Sequence, residues 1–361
     1  MTVPTVRGIG ARLVRVPMRR PLGTSASRIT EAPLLLLDLT THEGVTGRGY
    51  LFCYREAAGH AMLPLVAEAT ALLADSPAAP AAVRRTMAGH HRLLGVRGLV
   101  SGVLAALDMA CWDALAVAAE QPLARLLGAE PRALPAYNSN GLGLLDPAEA
   151  ADEAVELAEG FAGVKMRLGR PDAAADLAAV RAVRAALPAG TALMADFNQA
   201  LRLDEARQRC RMLDGEGLSW LEEPIRHDDH TGAAELAATL ETPVQLGENF
   251  TGPRAMARAL AAGASDFVMP DADRIGGVTG WQAAAALADA AGVPMSCHLY
   301  PEVSAHLLAA TPTAHWLEYV DWADPILIDP VTVAGGHVTA ADRPGSGLAW
   351  DEQAVARFRV G

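Results

Sequence analysis

Residues 192–249 read ALMADFNQALRLDEARQRCRMLDGEGLSWLEEPIRHDDHTGAAELAATLETPVQLGEN, and three short apolar runs within them end on acids. ALMADFN, LSWLEEP and PVQLGEN have the length and turn-residue boundaries of strands, with Ala- and Arg-rich helical stretches between them. Their ends carry Asp196, Glu222 and Glu248. The pattern continues both ways. GVKMRL (163–168) precedes it with Lys165; DFVMPD (266–271), PMSCHLY (294–300) and HWLEYVD (315–321) follow with Asp271, His298 and Glu318. These seven residues are spaced 20 to 31 positions apart, about the length of one strand plus one helix. A polar side chain at the C-terminal end of every strand is how a β/α barrel builds its active rim. One such residue alone reads as a solvated loop residue; seven in register do not.

Before about Pro131 the style differs. TVRGIGARLVRVP (5–17), APLLLLDLT (32–40) and VTGRGYLF (45–52) read as strands, the last two joined by a tight turn at His42–Glu43–Gly44. Helical stretches follow over about 57–74, 81–93 and 99–120. Strands first and helices after make a small α+β domain. The chain therefore divides into an α+β domain over 1–125, an α/β barrel over 126–325, and a segment 326–361 that leaves the repeat and returns to the first domain.

Bulk properties exclude several classes. The 361 residues carry a net charge of −12 with no Lys/Arg run, a poor match to nucleic acid or an anionic membrane. Cys53, Cys111, Cys210 and Cys297 are scattered without a C-x-x-C pair, against a disulfide framework or structural zinc and in keeping with a reducing cytoplasm. The N-terminus lacks the continuous apolar stretch of a signal peptide, and no segment is expected to act as a membrane span.

Asp196, Glu222 and Glu248, on consecutive strand ends, would repel one another without a cation. An oxygen-only ligand set suits a hard ion, Mg²⁺ first and Mn²⁺ second. Asn198 lies two residues on and points the same way, to support the site or touch substrate; Glu223 alternates away and reads as structural. Asp271 and His298 sit on adjacent strand ends, where an Asp holding one imidazole nitrogen raises the basicity of the other. His298 is thus the candidate general base, while His306 and His315 read equally well as packing residues. Lys165 and Arg167 share a strand face and would bind a substrate carboxylate and stabilise charge developing as the α-proton leaves. Glu318 closes the ring, as a hydrogen-bond donor if its pKa is raised or as a rim salt bridge.

These residues lie in segments that resemble the mandelate racemase subgroup of the enolase superfamily over nearly the whole chain: ALDMACWDALA (106–116), ADFNQ (195–199), WLEEPI (220–225), LGEN (246–249), MPDADRIGGVTGW (269–281) and SAHLLAATPTAHWLE (304–318). The resemblance implies a capping domain over a modified TIM barrel, (β/α)7β, with segments near Pro21–Pro33 and Tyr50–Tyr54 closing over substrate. It implies that Asp196, Glu222 and Glu248 are metal ligands and Asp271–His298 the catalytic dyad. It places Lys165, Glu318 and Ser139 around the substrate carboxylate and enediolate, and Leu22, Ala26, Ile29, Phe52 and Tyr54 in an apolar pocket. It also implies a homo-oligomer.

One departure stands out. The family has K-x-K where this chain has Lys165-Met166-Arg167, and the second lysine is the base for one face of the substrate. A guanidinium, with pKa above about 12, keeps its proton. One-base dehydration of an acid sugar through an enediolate is therefore favoured over mandelate racemase-like racemisation or epimerisation of a 2-hydroxy acid. Muconate cycloisomerase chemistry fits the late-strand Asp/His pair less well, and a non-catalytic binding barrel predicts lost ligands, which are all present.

Overall fold

The computed structural model describes residues 3–360. An antiparallel sheet comes first, with β1 (Val6–Gly23), β2 (Arg28–Thr41) and β3 (Thr46–Phe52) in that order. The β2–β3 turn tightens through Gly44 at φ +83° and Thr41, whose hydroxyl accepts from the Val45 N–H at 3.1 Å. Helices α1 (Glu56–Leu73), α2 (Pro80–His90) and α3 (Leu99–Ala118) pack on the sheet, and a short α4 (Leu123–Leu126) leads onward.

The barrel then alternates strand and helix as far as α10, where two helices follow in succession: β4 (Ala133–Asn138), α5 (Pro147–Ala158), β5 (Gly163–Arg167), α6 (Ala173–Ala186), β6 (Ala192–Asp196), α7 (Leu203–Leu213), β7 (Leu221–Glu222), α8 (His230–Thr239), β8 (Val244–Leu246), α9 (Pro253–Ala261), β9 (Phe267–Val268), α10 (Gly277–Ala291), α11 (Pro301–Ala309) and β10 (Leu317–Tyr319). Neighbouring strands are parallel in the order β10-β4-β5-β6-β7-β8-β9. The ring closes through Met295–His298. Met295 bridges Val268 on one side and Ala314 on the other, and the Cys297 N–H donates to the Trp316 carbonyl at 3.2 Å. PMSCHLY thus forms isolated bridges where a regular strand was expected. The expected seven units omitted β4, whose residues lack a charged strand end; with it the barrel has its eighth wall.

Sequence alone pointed to no span-like segment, yet α3 has one by length and composition, 20 residues at mean hydropathy 1.6. It is a core helix, with 78% of that window buried. Glycines make room for it on β3: a Cβ at Gly47 would stand 2.0 Å from the Ala110 carbonyl oxygen. Its two acids are spent as fasteners. Asp108 accepts from the Thr279 N–H (2.9 Å) and hydroxyl (2.6 Å) on α10, tying cap to barrel. Asp113 accepts from the Arg48 and Ser346 N–H groups at 2.8 and 2.6 Å. The final residues serve both layers. β11 (His337–Thr339) pairs antiparallel with β4, while α12 (Glu352–Phe358) packs on β1 and the Trp350 indole donates to Asp38 at 2.9 Å.

Candidate active site

The barrel floor is aromatic. Tyr137, Met194 and Trp220 fill it, with the Tyr137 and Trp220 rings 5.5 Å apart and nearly perpendicular. Above it, strand alternation turns Lys165 and Arg167 of β5 inward together, and both are buried.

Asp196 and Glu222 end β6 and β7, Glu248 lies two residues beyond β8, and each can offer an oxygen within 4.8 Å of the others. All three are buried. Burial, then the neighbouring carboxylates, push Asp196 and Glu222 upward against the pull of Lys165, Glu222 to about 8. A set of buried acids that resists ionisation together is one that a divalent cation completes. The oxygen-only donors fit Mg²⁺, which matches the expectation from spacing. Asn198 fixes Asp196 through its backbone N–H (2.7 Å) and side-chain amide (2.8 Å), and its own Oδ1 has no partner among the described residues.

Glu223 departs from expectation. Its φ of +37° breaks the strand alternation directly after the two residues of β7. The carboxyl turns inward to accept from Asn249 at 2.7 Å, and burial, then Glu248, Asp196 and Glu222, hold it well above the usual carboxylate range. Asn249 also donates to Glu248 at 3.1 Å, so it orients one of the three acids.

The Lys165 ammonium lies 2.7 Å from both Glu222 and Glu318 and 5.5 Å over the Tyr137 ring. The two acids respond differently to the same partner. Glu222 also feels Asp196 and Glu248, whereas Glu318 feels His298 as a second cation. Despite burial, Glu318 is held down at about 2 by Lys165 and His298. It accepts from Lys165 and from the Leu299 N–H at 2.8 Å. Of the two roles the sequence left open for Glu318, this arrangement matches the rim salt bridge, with the carboxylate paired to Lys165.

Arg167 carries more information. One guanidinium nitrogen donates to the Ser139 hydroxyl at 3.1 Å, and Nε lies 3.7 Å from Asp196. Nε and Nη1 are buried without a hydrogen-bond partner among the described residues. Burial opposes its charge, but Asp196, Glu318, Glu222 and Glu248 together raise its pKa above the ordinary arginine value. It is a fixed cation with donors left over. Ser139 directly follows β4 and stands beside Arg167.

Asp271 accepts from His298 Nδ1 at 2.6 Å, with its other oxygen held by the Asp273 N–H at 2.8 Å. That leaves Nε2 as the working atom, 3.2 Å from Glu248. Burial lowers the imidazole pKa, but Glu248, Glu318 and Asp271 overcome it and push it up to about 9. Asp271 is held below its ordinary value by the same pairing, against the effect of burial.

Of these groups, Arg167, Asp196, Asn198, Glu248 and His298 line a cavity of about 230 Å³ from the barrel side, with Leu22, Ala26, Ile29 and Tyr54 lining it from the cap, while Lys165, Glu222, Asp271, Glu318 and Ser139 lie behind that lining. Leu22 and Ile29 are cross-strand partners on β1 and β2. The expected closing segment Pro21–Pro33 is thus mostly a long hairpin, with only Thr24–Ser27 as its tip. Tyr54, at φ +57°, leaves β3 to cover the cavity, while Phe52 points behind it, 4.4 Å from the Tyr54 ring, and is not in the lining. Arg28 stays on the outer surface. Sequence reasoning missed Gln199, Arg274 and Trp322. The first two lie within quoted motifs, so a signal existed. Arg274 stacks its guanidinium 5.3 Å from the Tyr54 ring. Trp322 had no signal, since only barrel closure brings it under the cap.

Residues 8–128 match the mandelate racemase / muconate lactonizing enzyme N-terminal domain, and residues 148–354 match the enolase C-terminal domain-like family. The chain belongs to the mandelate racemase/muconate lactonizing enzyme family of the enolase superfamily. Within this family it is similar to the L-talarate/galactarate dehydratase of Salmonella typhimurium, 32% identical over 90% of this chain and 82% of that protein. Among solved structures it resembles an enolase from alpha proteobacterium BAL199 with bound Mg, at TM-score 0.96 and 48% identity over 99% of both chains. An enolase from Bradyrhizobium complexed with magnesium and mandelic acid gives TM-score 0.94 and 44% identity over the full length of both. Family relatives include dehydratases, cycloisomerases and racemases, so this chain is a hydro-lyase or isomerase of the superfamily.

Proposed function

We propose that this protein dehydrates an acid sugar, a 2,3-dihydroxycarboxylate, using His298 as its one mobile-proton base. The observation that carries the reading is Arg167. It stands where a second base would have to be, its charge is reinforced by four carboxylates, and two of its donor nitrogens lack partners among the described residues. Those donors suit a substrate carboxylate or hydroxyl, and no proton can be taken by a group that keeps its own.

Asp196, Glu222 and Glu248 would hold the Mg²⁺, which when bound withdraws charge from the substrate carboxylate and makes its α-proton more acidic. Lys165 and Arg167 supply fixed positive charge where the enediolate develops. His298 Nε2 takes the proton from C2, with Asp271 stabilising the imidazolium. The same proton then goes to the C3 hydroxyl, which leaves as water as the C3–O bond breaks. The resulting enol tautomerises to a 2-keto-3-deoxy acid. Asn198 Oδ1, Gln199 and Arg274 line the cavity and are available to sugar hydroxyls.

An acid-sugar panel incubated with enzyme and Mg²⁺, followed by trapping keto acids as semicarbazones, tests this. A 2-keto product from at least one acid is expected. Deuterium uptake at C2 in D₂O with no keto acid from any of them would instead support racemisation or epimerisation. That second reading is favoured by the apolar wall of Leu22, Ile29 and Trp322, and by a similar protein having been crystallised with mandelic acid.

The proposal includes self-association, which the fully exposed Leu93 and its neighbour Leu94 support, and a reducing cytoplasmic setting, which four buried, unpaired cysteines support.

A further inference from the structure

The cap carries a second cluster of metal-ligating side chains, remote in sequence from the barrel rim. Glu68 lies on α1; His90 is the last residue of α2, and His91 follows as that helix ends. A single carboxylate oxygen of Glu68 lies 3.5 Å from His90 Nε2 and 4.0 Å from His91 Nε2. The two imidazoles are close to perpendicular, 79° with centroids 4.8 Å apart, so their nitrogens converge without the rings stacking. All three ligand atoms lie within 4.8 Å of one another.

The decisive atom is His91 Nε2. His91 is 4% exposed, and this nitrogen is buried with no hydrogen-bond partner among the described residues. Buried polar atoms are normally satisfied, and one that is not calls for an ion or a water. It shares its nearest acidic neighbour, the same Glu68 oxygen, with His90.

We infer that Glu68, His90 and His91 form a second divalent-metal site, selective for imidazole-preferring ions of the Zn²⁺ class. Two neutral imidazoles and one carboxylate are a poor set for Mg²⁺, which favours oxygen, and a good one for Zn²⁺ or Co²⁺ with water as a fourth ligand. Tetrahedral coordination places ligand atoms roughly 3.3 Å apart. Only small side-chain rotations of Glu68 and His90, both partly exposed, are needed to reach that spacing while buried His91 stays fixed. The bound ion joins the middle of α1 to the end of α2 and anchors the root of the Arg92–Gly98 segment. The two sites therefore sort metals by chemistry, oxygen-binding ions in the barrel and nitrogen-binding ions on the cap.

The test titrates full-length protein, held in excess Mg²⁺, with Co²⁺, following its visible ligand-field absorption, and then displaces Co²⁺ with Zn²⁺. One equivalent of Co²⁺ that excess Mg²⁺ does not displace is expected. His90→Gln and Glu68→Gln, both at exposed positions, should each lose at least about tenfold in affinity, with circular dichroism and the Mg²⁺-induced rise in Tm unchanged. Glu222→Gln, in the barrel, should leave the Co²⁺ spectrum intact. Absence of the signal in wild type, full retention in both cap variants, or its loss in Glu222→Gln would each overturn the assignment.

Discussion

Replacing Arg167 with lysine restores a titratable group at the position where the one-base argument says there is none. In the wild type the guanidinium donates to Ser139 at 3.1 Å, and its Nε and Nη1 have no hydrogen-bond partner among the described residues. A hydrogen bond to a charged group contributes about 1.5–3 kcal/mol. A lysine ammonium cannot reproduce the fork, so loss of one substrate contact should lower kcat/KM for dehydration by about 10- to 160-fold. The same substitution adds a capability. Burial and the adjacent Lys165 ammonium disfavour a second protonated lysine while the surrounding carboxylates favour it, and an ammonium, unlike a guanidinium, can give up its proton to act as a base. Proton NMR in D₂O reads both effects on a pair of C2 epimers. Wild type should exchange the C2 proton of one epimer only; Arg167→Lys should exchange both while forming keto acid more slowly. Wild-type exchange of both epimers, or a variant that still exchanges only one, would refute the reasoning.

Replacing His298 with asparagine should reduce C2 exchange and turnover by about 10²- to 10⁴-fold while leaving Mg²⁺ binding in place, measured by calorimetry; equal loss of both would mean that His298 matters for assembly of the metal site. For Glu222→Gln the order reverses: the Mg²⁺-induced rise in Tm should disappear, because one of three converging acids is gone. A persisting rise would remove Glu222 from the ligand set. A stability effect should arise away from the site at His306, which accepts from the Ala124 N–H at 3.1 Å and donates to the Ser346 carbonyl at 3.2 Å. Burial lowers its pKa from 6.5 to about 4, so the unfolded chain binds the proton more readily. Its contribution is present above pH 6.5 and is lost as pH falls toward 4, at most on the order of 3 kcal/mol. His306→Gln should flatten the Tm-versus-pH curve across that window, and an unchanged slope would show that other groups govern it.

Much of the site was legible because barrel chemistry is periodic. Each strand ends at the same rim, so Lys165, Asp196, Glu222, Glu248, Asp271, His298 and Glu318 announced themselves by spacing. The pairing of His298 with Asp271 followed from the adjacency of their strands. What periodicity could not convey was local backbone that leaves the regular conformation. Glu223 was assigned to the wrong side because its positive φ cancels alternation, and β4 went uncounted because no charge marks its end.

The sequence by itself determined the fold class, the three converging acids, the histidine–aspartate pair and the arginine that replaces a lysine. These are properties of residue type and interval, which short-range geometry preserves. Only the tertiary structure decided the pairing of Glu318 with Lys165, the two donor nitrogens of Arg167 left without partners among the described residues, the place of Trp322 in the cavity wall and the convergence of Glu68 with His90 and His91. Each depends on which groups from distant parts of the chain are brought within a few ångströms. Electrostatic and hydrogen-bond energies change steeply over that distance, and residue type and interval along one strand or helix do not encode it.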